Sequence, residues 1–441
     1  VTHDAAPQTP GLAVLVQRPG AADTRLHHGL ANLELSVPVG PGTTFDAGSV
    51  GKQITAHVAV LSARRGLLGL DRPVSAYLPR FRIPSVTVAD LIRHQGGVRD
   101  AESLLSLAGL RDLDHYTSHD LLELAYRQTR RCVAPGRFLY SNTGYLLLAA
   151  VLHTVHGTDL AQLARRWVFG PLGMTSARFV ADPRQVVPGA ASSYLPTADG
   201  WAHGRRPVAL PGPGSLWCST TDLGRWLTRL GETWPAAHRF VHDREVPYGP
   251  ADHRPCLYGP GLYADPRRPG DETVFHYGHE QGFSAAALLT RSGLRVVCLA
   301  NHAAVHADHA ADRIVRALRN GEFDDEKLRR IVADVHRRAR PPDAGGKPAE
   351  PGSDHTELGT YTCADVPGAL RLTVADGRLF LWRRGTRDRL APDGPGAFRA
   401  DGLRLVAPGP VDPATLRPGR PERFTLHLDR APGLRYHRTS S

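Results

Sequence analysis

The run Arg-Arg-Ala-Arg-Pro-Pro-Asp-Ala-Gly-Gly-Lys-Pro-Ala-Glu-Pro-Gly-Ser-Asp, which closes the stretch 331–354, constrains the fold of this chain more than any other feature. Proline removes a backbone donor and glycine frees the backbone, so neither a regular helix nor a strand is expected to pass through it. The chain is therefore expected to form two domains, 1–330 and 355–441, joined by a linker over 331–354. A length of 441 residues suits two domains better than one.

Composition narrows the classes. The chain is 41% hydrophobic and 22% charged, which suits a globular protein with a large core. No stretch approaches the ~20 apolar residues of a membrane helix, so no membrane span is expected. The first residues, Val1-Thr2-His3-Asp4, carry neither an initiator Met nor a basic-then-apolar signal. A cytoplasmic and a secreted protein both remain open. The net charge is +11, but the arginines are scattered and no basic block is interleaved with aromatics. That argues against nucleic acid as a partner. A basic surface could instead meet an acidic partner, such as a carrier protein. The five cysteines, Cys132, Cys218, Cys256, Cys298 and Cys363, form no CxxC pair and read as reduced, mostly buried thiols.

Periodicity places the elements. Gly11–Gln17 reads as a buried strand, with Arg25–Leu33 returning beside it. Val50–Ala63 has apolar residues at helical spacing and Gly66 as its stop. Thr87–His94, Ser118–Tyr126, Gly144–Val155 and Thr221–Leu230 also read as helices. Val274–His276, Ala285–Thr290 and Val296–Ala300 read as consecutive strands. Past the linker, Leu370–Trp382 reads as a hairpin turning at Asp376-Gly377. Arg423–Leu428 and Leu434–His437 add strands, so a small all-β sandwich or barrel is expected.

The chemistry is signalled by a lysine. The chain has 51 arginines and three lysines, and Lys52 is the only lysine before residue 327. Arginine stays protonated, whereas a lysine can be made neutral by its surroundings and act as a base. Lys52 falls three residues after Ser49, in Ser49-Val50-Gly51-Lys52, so on a helix the two share a face. Ser49 at a helix N-terminus is then a candidate nucleophile. Two further stretches stand out: Tyr140-Ser141-Asn142 before an apolar helix, and His276-Tyr277-Gly278 at a strand end, with Gly282-Phe283 just beyond. His302, His306 and His309 at i, i+4, i+7 are read as one polar helix face. No metal and no cofactor are expected.

Taken in register, SVGK, YSN and HYG resemble the S-x-x-K, Y-x-N and H-x-G motifs of the serine β-lactamase and penicillin-binding-protein superfamily. The branch is that of class C β-lactamases, D-aminopeptidases, DD-carboxypeptidases and related esterases and transacylases. Phe45-Asp46-Ala47, Leu91–Val98, Pro171-Leu172-Gly173-Met174 and Gly214–Leu223 also look like that family, so the resemblance covers about Pro10 to His302. It implies an α/β (α+β) fold: an antiparallel sheet flanked by helices, with a helical insertion between the first two motifs. The C-terminal segment resembles a lipocalin-like extension. For the site it implies Ser49 as acylated nucleophile and Lys52 as base, shared with Tyr140. Asn142 would position lysine and ligand, and His276 would stabilise the Tyr140 hydroxyl. Backbone N–H groups of Ser49 and His279 would form the oxyanion hole. Gly278, Glu280, His94 and Trp217 are candidate substrate contacts, with Glu280 suited to a substrate ammonium. The expected function is hydrolysis of amide or ester bonds in peptide-like substrates. The alternatives are acyl transfer, including peptide-cyclising thioesterases that receive substrate from a carrier protein, and a non-catalytic acyl-binding or sensor module.

Overall fold

The structure is a computed structural model and describes residues 8–108, 116–198, 200–204, 208–233, 246–248, 254–265, 267–338, 356–383, 386–407 and 421–439. The chain divides into two compact units. One comprises Val1–Leu70 and Leu148–Gly345; the other comprises Asp71–Leu147 and Gly346–Ser441. These units cut across the partition read from the linker. Residues 71–147 group with the C-terminal segment rather than with the rest of the first 330 residues.

The first unit is built on an eight-stranded sheet. Its order is Val246–Tyr248, Arg254–Gly259, Leu262–Asp265, Thr273–Glu280, Phe283–Thr290, Arg295–Ala300, Leu12–Gln17, Thr24–His28. Every pairing is antiparallel. The three consecutive strands read from the sequence lie at its centre. All eight residues of Phe283–Thr290 are buried, which requires cover on both faces of the sheet and explains the loss of in/out alternation there. Helices Thr220–Glu232 and Ala307–Arg319 pack against these strands. Asn301, fully buried at the end of Arg295–Ala300, ties the unit's edge together. Its Oδ1 accepts from Gly11 N at 2.6 Å, and its Nδ2 donates to the carbonyls of Ser192, Leu30 and Ala31.

Three sequence readings shift here. The α-helix expected from Val50 begins at Lys52, because Gly48–Gly51 forms a 3₁₀ turn ahead of it. The helix expected to carry His302, His306 and His309 begins only at Ala307, with His306 as its N-cap and His302 outside it. The stretch read as linker is helical over its first eight residues, since Asp325–Arg338 continues through Ile331. Its remainder, 339–354, lies outside the described residues.

The second unit joins helices to a barrel. Thr87 and Thr117 each close a reciprocal capping box, with Asp90 and Asp120, on helices Val88–Ile92 and Ser118–Arg127. Helix Ala101–Ala108 and the start of Asn142–His156 complete the helical part. The eight strands from Thr356–Cys363 to Ala431–Arg438 form a closed antiparallel barrel, which leaves no free sheet edge. The hairpin read at Asp376-Gly377 is present: Ala375 pairs with Arg378, and both turn residues have positive φ, 50° and 67°. That is the conformation for which Asp-Gly is suited. Helix Ala101–Ala108 packs on the barrel strands Val366–Ala375 and Arg378–Arg383.

Candidate active site

In the first unit, Ser49 sits in the 3₁₀ turn Gly48–Gly51. Asp46 Oδ1 accepts from Gly48 N at 3.0 Å, and Gly48 takes φ +50° as the chain enters the turn. Lys52 opens the next helix and is fully buried. Its Nζ donates to Ser49 Oγ at 2.9 Å and to the Pro213 carbonyl at 2.6 Å. Thr55, one turn on, donates to the Gly212 carbonyl at 2.8 Å, so the segment 212–213 is pinned along this helix. Sequence reading did not single out Pro213, whose contribution is a backbone carbonyl that any residue carries.

Strand Thr273–Glu280 runs beside the turn. Its close approach explains Gly278: a methyl group there would fall 2.0 Å from the Ala47 carbonyl oxygen and 3.1 Å from Ser49 N. The space that a side chain would take is filled by the backbone of Ala47 and Ser49. His276 is buried, and its Nδ1 lies 2.7 Å from the Tyr277 carbonyl. A carbonyl only accepts, so Nδ1 carries the proton and Nε2 is left as an acceptor. Burial, the largest cause, pushes the His276 pKa down to about 3, so the ring is neutral at working pH. Glu280 is exposed at the strand end, and its side chain stands over Gly48 and Gly214. Trp217 is buried with its ring edge-on to Phe283.

In the second unit, His94 organises the tyrosine motif. It has φ +55° and is buried, and its ring packs on Tyr140 with centroids 4.3 Å apart. Ser141 N donates to His94 Nδ1, and Leu139 N donates to the His94 carbonyl. Asn142 is held by two carboxylates that sequence reading missed. Its N donates to Asp100 Oδ2 and its Nδ2 to Glu102 Oε2, both at 2.6 Å. The barrel residue Arg430 lies 3.7 Å from the first carboxylate and 3.6 Å from the second. Arg99 donates to the carbonyls of Pro432 and Gly433. No local signal could reveal these contacts: those of Asn142 span 42 and 40 positions, and those of Arg99 333 and 334.

The structure thus brings Ser49, Lys52, Trp217, His276, Gly278, His279 and Glu280 together in one unit. It brings His94, Tyr140 and Asn142 together in the other. Among the described residues no helix is long and apolar enough to cross a membrane.

Comparison with known proteins adds three observations. The family model described as Beta-lactamase matches residues 2–320. A D-aminopeptidase of Gluconobacter oxydans is 27% identical over 320 residues, 72% of this chain and 60% of its own length. The chain thus spans about three fifths of the length of that curated relative. Two solved structures share the fold. The octameric penicillin-binding protein homologue from Pyrococcus abyssi has TM-score 0.63 and 20% identity, over 97% of this chain and 96% of its own. The D-amino acid amidase from Ochrobactrum anthropi SV3 has TM-score 0.61 and 20% identity, over 71% and 95%.

Proposed function

The chain belongs to the Beta-lactamase family, and from that premise we propose that it is a serine hydrolase of amide or ester bonds in peptide-like substrates, acting through an acyl-enzyme on Ser49. The observation that carries this reading is the 2.9 Å contact between Ser49 Oγ and the fully buried Lys52 Nζ. Burial disfavours a charged ammonium. A neutral amine keeps its donation to Pro213 and turns its lone pair to the serine, so the hydroxyl proton passes to Lys52 as Oγ attacks.

In this mechanism Ser49 Oγ bonds to the substrate carbonyl carbon and its proton moves to Nζ. The oxyanion is held by the backbone N–H groups of Ser49 and His279. Collapse breaks the bond to the leaving amine or alcohol, which takes the proton. Water then attacks the ester and releases the acid, restoring Ser49. Tyr140 is proposed as the proton relay and Asn142 as a ligand-positioning amide. The acceptor Nε2 of His276 suits it to hold a hydroxyl proton. The likeness to proteins named D-aminopeptidase supports a substrate that begins with a D-residue. Glu280, exposed above Gly48 and Gly214, offers a substrate ammonium a carboxylate.

The test is intact mass and turnover with D- and L-amino-acid p-nitroanilides, p-nitrophenyl esters and a peptidyl thioester, each with and without a free amine. A Ser49-dependent adduct that clears into water supports the hydrolase. Capture by the amine in preference to water would replace it with an acyltransferase or cyclising thioesterase. No adduct from any donor on folded protein would leave a binding module.

A further inference from the structure

We propose that His279, His306 and Asp308 form a binding site for a divalent transition-metal ion of the zinc class, at the rim of the candidate active site. Their ligand atoms all lie within 4.8 Å of one another. Three atoms 4.8 Å apart would lie roughly 2.8 Å from a common centre, against the ~2.1 Å of a Zn–N or Zn–O bond. Closing that gap needs each ligand atom to move roughly 0.7 Å toward the centre.

Three independent features prepare the cluster. Asp308 is in the first turn of helix Ala307–Arg319 with its side chain 17% exposed. Its Oδ1 is buried and accepts no hydrogen bond from a described residue, with His306 Nδ1 3.9 Å away. A buried carboxylate oxygen without a donor costs free energy that a cation would recover. His306 occupies the N-cap position yet makes no capping hydrogen bond. Its ring is instead stacked on His309 with centroids 4.8 Å apart, which limits its rotation. His279 reaches the cluster from the exposed end of strand Thr273–Glu280, with its ring centroid 6.3 Å from that of His306.

Two imidazoles and one carboxylate are a donor set that selects zinc and its neighbours over calcium or magnesium, and three protein ligands leave positions open for water. The positive end of the helix opposes a cation. The Asp308 carboxylate offsets this, so micromolar affinity is expected rather than the much tighter binding of closed four-ligand sites. The ion would tie the strand end to the helix. His279 N lies against Gly48, the residue before the candidate nucleophile, so occupancy bears directly on the acyl site. The site itself depends only on the three side chains and stands whether or not the proposed hydrolysis is correct.

The test uses the full chain after treatment with a chelator. Zn²⁺ is titrated by calorimetry and Co²⁺ by visible absorbance. One equivalent of each is expected to bind, with Co²⁺ giving the bands of a low-coordinate nitrogen–oxygen site. His306→Gln and Asp308→Asn are each expected to weaken binding at least tenfold. The His306 side chain is half exposed, so His306→Gln should fold normally and carries the test if Asp308→Asn does not fold. Absence of one-equivalent binding, or binding unchanged in His306→Gln, would overturn the assignment and place any bound ion on other histidines.

Discussion

Replacing Gly278 by alanine tests whether the strand beside Ser49 sets the nucleophile's geometry. The new methyl carbon would lie 2.0 Å from the Ala47 carbonyl oxygen. A carbon–oxygen contact relaxes at about 3.3 Å, so one of the two backbones must retreat by roughly 1.3 Å. The Ala47 carbonyl is not free to swing, because it accepts from Val50 N at 3.1 Å, and Ala47 N donates to the Leu216 carbonyl at 2.8 Å. The displacement therefore passes into the turn that holds Ser49. Overpacking of this kind costs about 1–3 kcal/mol of stability. A 1 Å error in reacting geometry costs about 10²-fold in rate. The expected result is a fall of about 100-fold in kcat/KM on the best p-nitroanilide or ester, with only a modest drop in the urea midpoint. Gly11→Ala is the control, since its methyl would fall 2.4 Å from the His28 carbonyl oxygen, away from Ser49. It should cost similar stability and spare the rate. A folded Gly278→Ala protein within threefold of wild-type activity, or an equal loss in Gly11→Ala, would refute the reasoning.

Lys52→Arg puts a permanent cation where a neutral base is proposed, so acylation of Ser49 should slow by about 10²–10⁴-fold, read as adduct formation by intact mass. Arg430→Ala should lower stability by about 1 kcal/mol or less, since the arginine is partly exposed. It should also speed amide hydrogen exchange at Asn142, and Arg430→Lys should restore most of both. Asn301→Ala removes the acceptor of buried Gly11 N and one donor from each of three carbonyls, of which that of Ala31 keeps Ser192 N; at ~1–3 kcal/mol per group left without a partner it should cost a few kcal/mol in urea denaturation. His302 and His336 are held down to about 4 and about 3, mainly by burial. Their folded pKa values lie below the ordinary 6.5, so their neutral forms leave stability intact above pH 6.5. Stability is then lost as pH falls from 6.5 toward 4 and 3, by up to about 1.4 kcal/mol per pH unit for each ring. Denaturation midpoints at pH 7 and pH 5 should show that slope, and His336→Phe should reduce it.

The features legible in the sequence are local ones. Thr87 and Thr117 sit three residues before an aspartate, so each cap is written within four residues. Asp376-Gly377 specifies its turn because few other pairs tolerate two positive φ values. Spacing alone relates Ser49 to Lys52, although the turn between them is 3₁₀ rather than α: Gly48 and Gly51 carry no periodic signal to mark where one gives way to the other. The contacts that hold Asn142 are not legible, since Asp100 and Arg430 are brought together only by folding. The proximity of His279 to Asp308 is hidden for the same reason. Three histidines spaced along the chain suggest one helix face, whereas the structure joins two elements. The proline-rich segment marks a change of composition. It cannot reveal that residues 71–147 pack with the C-terminal barrel.

The strand order of the eight-stranded sheet sets a schedule for synthesis. Leu12–Gln17 pairs on one side with Thr24–His28, made at once, and on the other with Arg295–Ala300. At ~5–20 residues per second, the N-terminal hairpin waits roughly 15–55 s on the ribosome with an apolar edge unpaired. An open edge of this kind is a template for mispairing, and the five consecutive buried residues Leu12–Val16 make it an adhesive one. Nascent chains stalled before Arg295 are expected to stay protease-sensitive in this hairpin and to bind holdase chaperones. Chains stalled with Ala300 well clear of the exit tunnel are expected to release them.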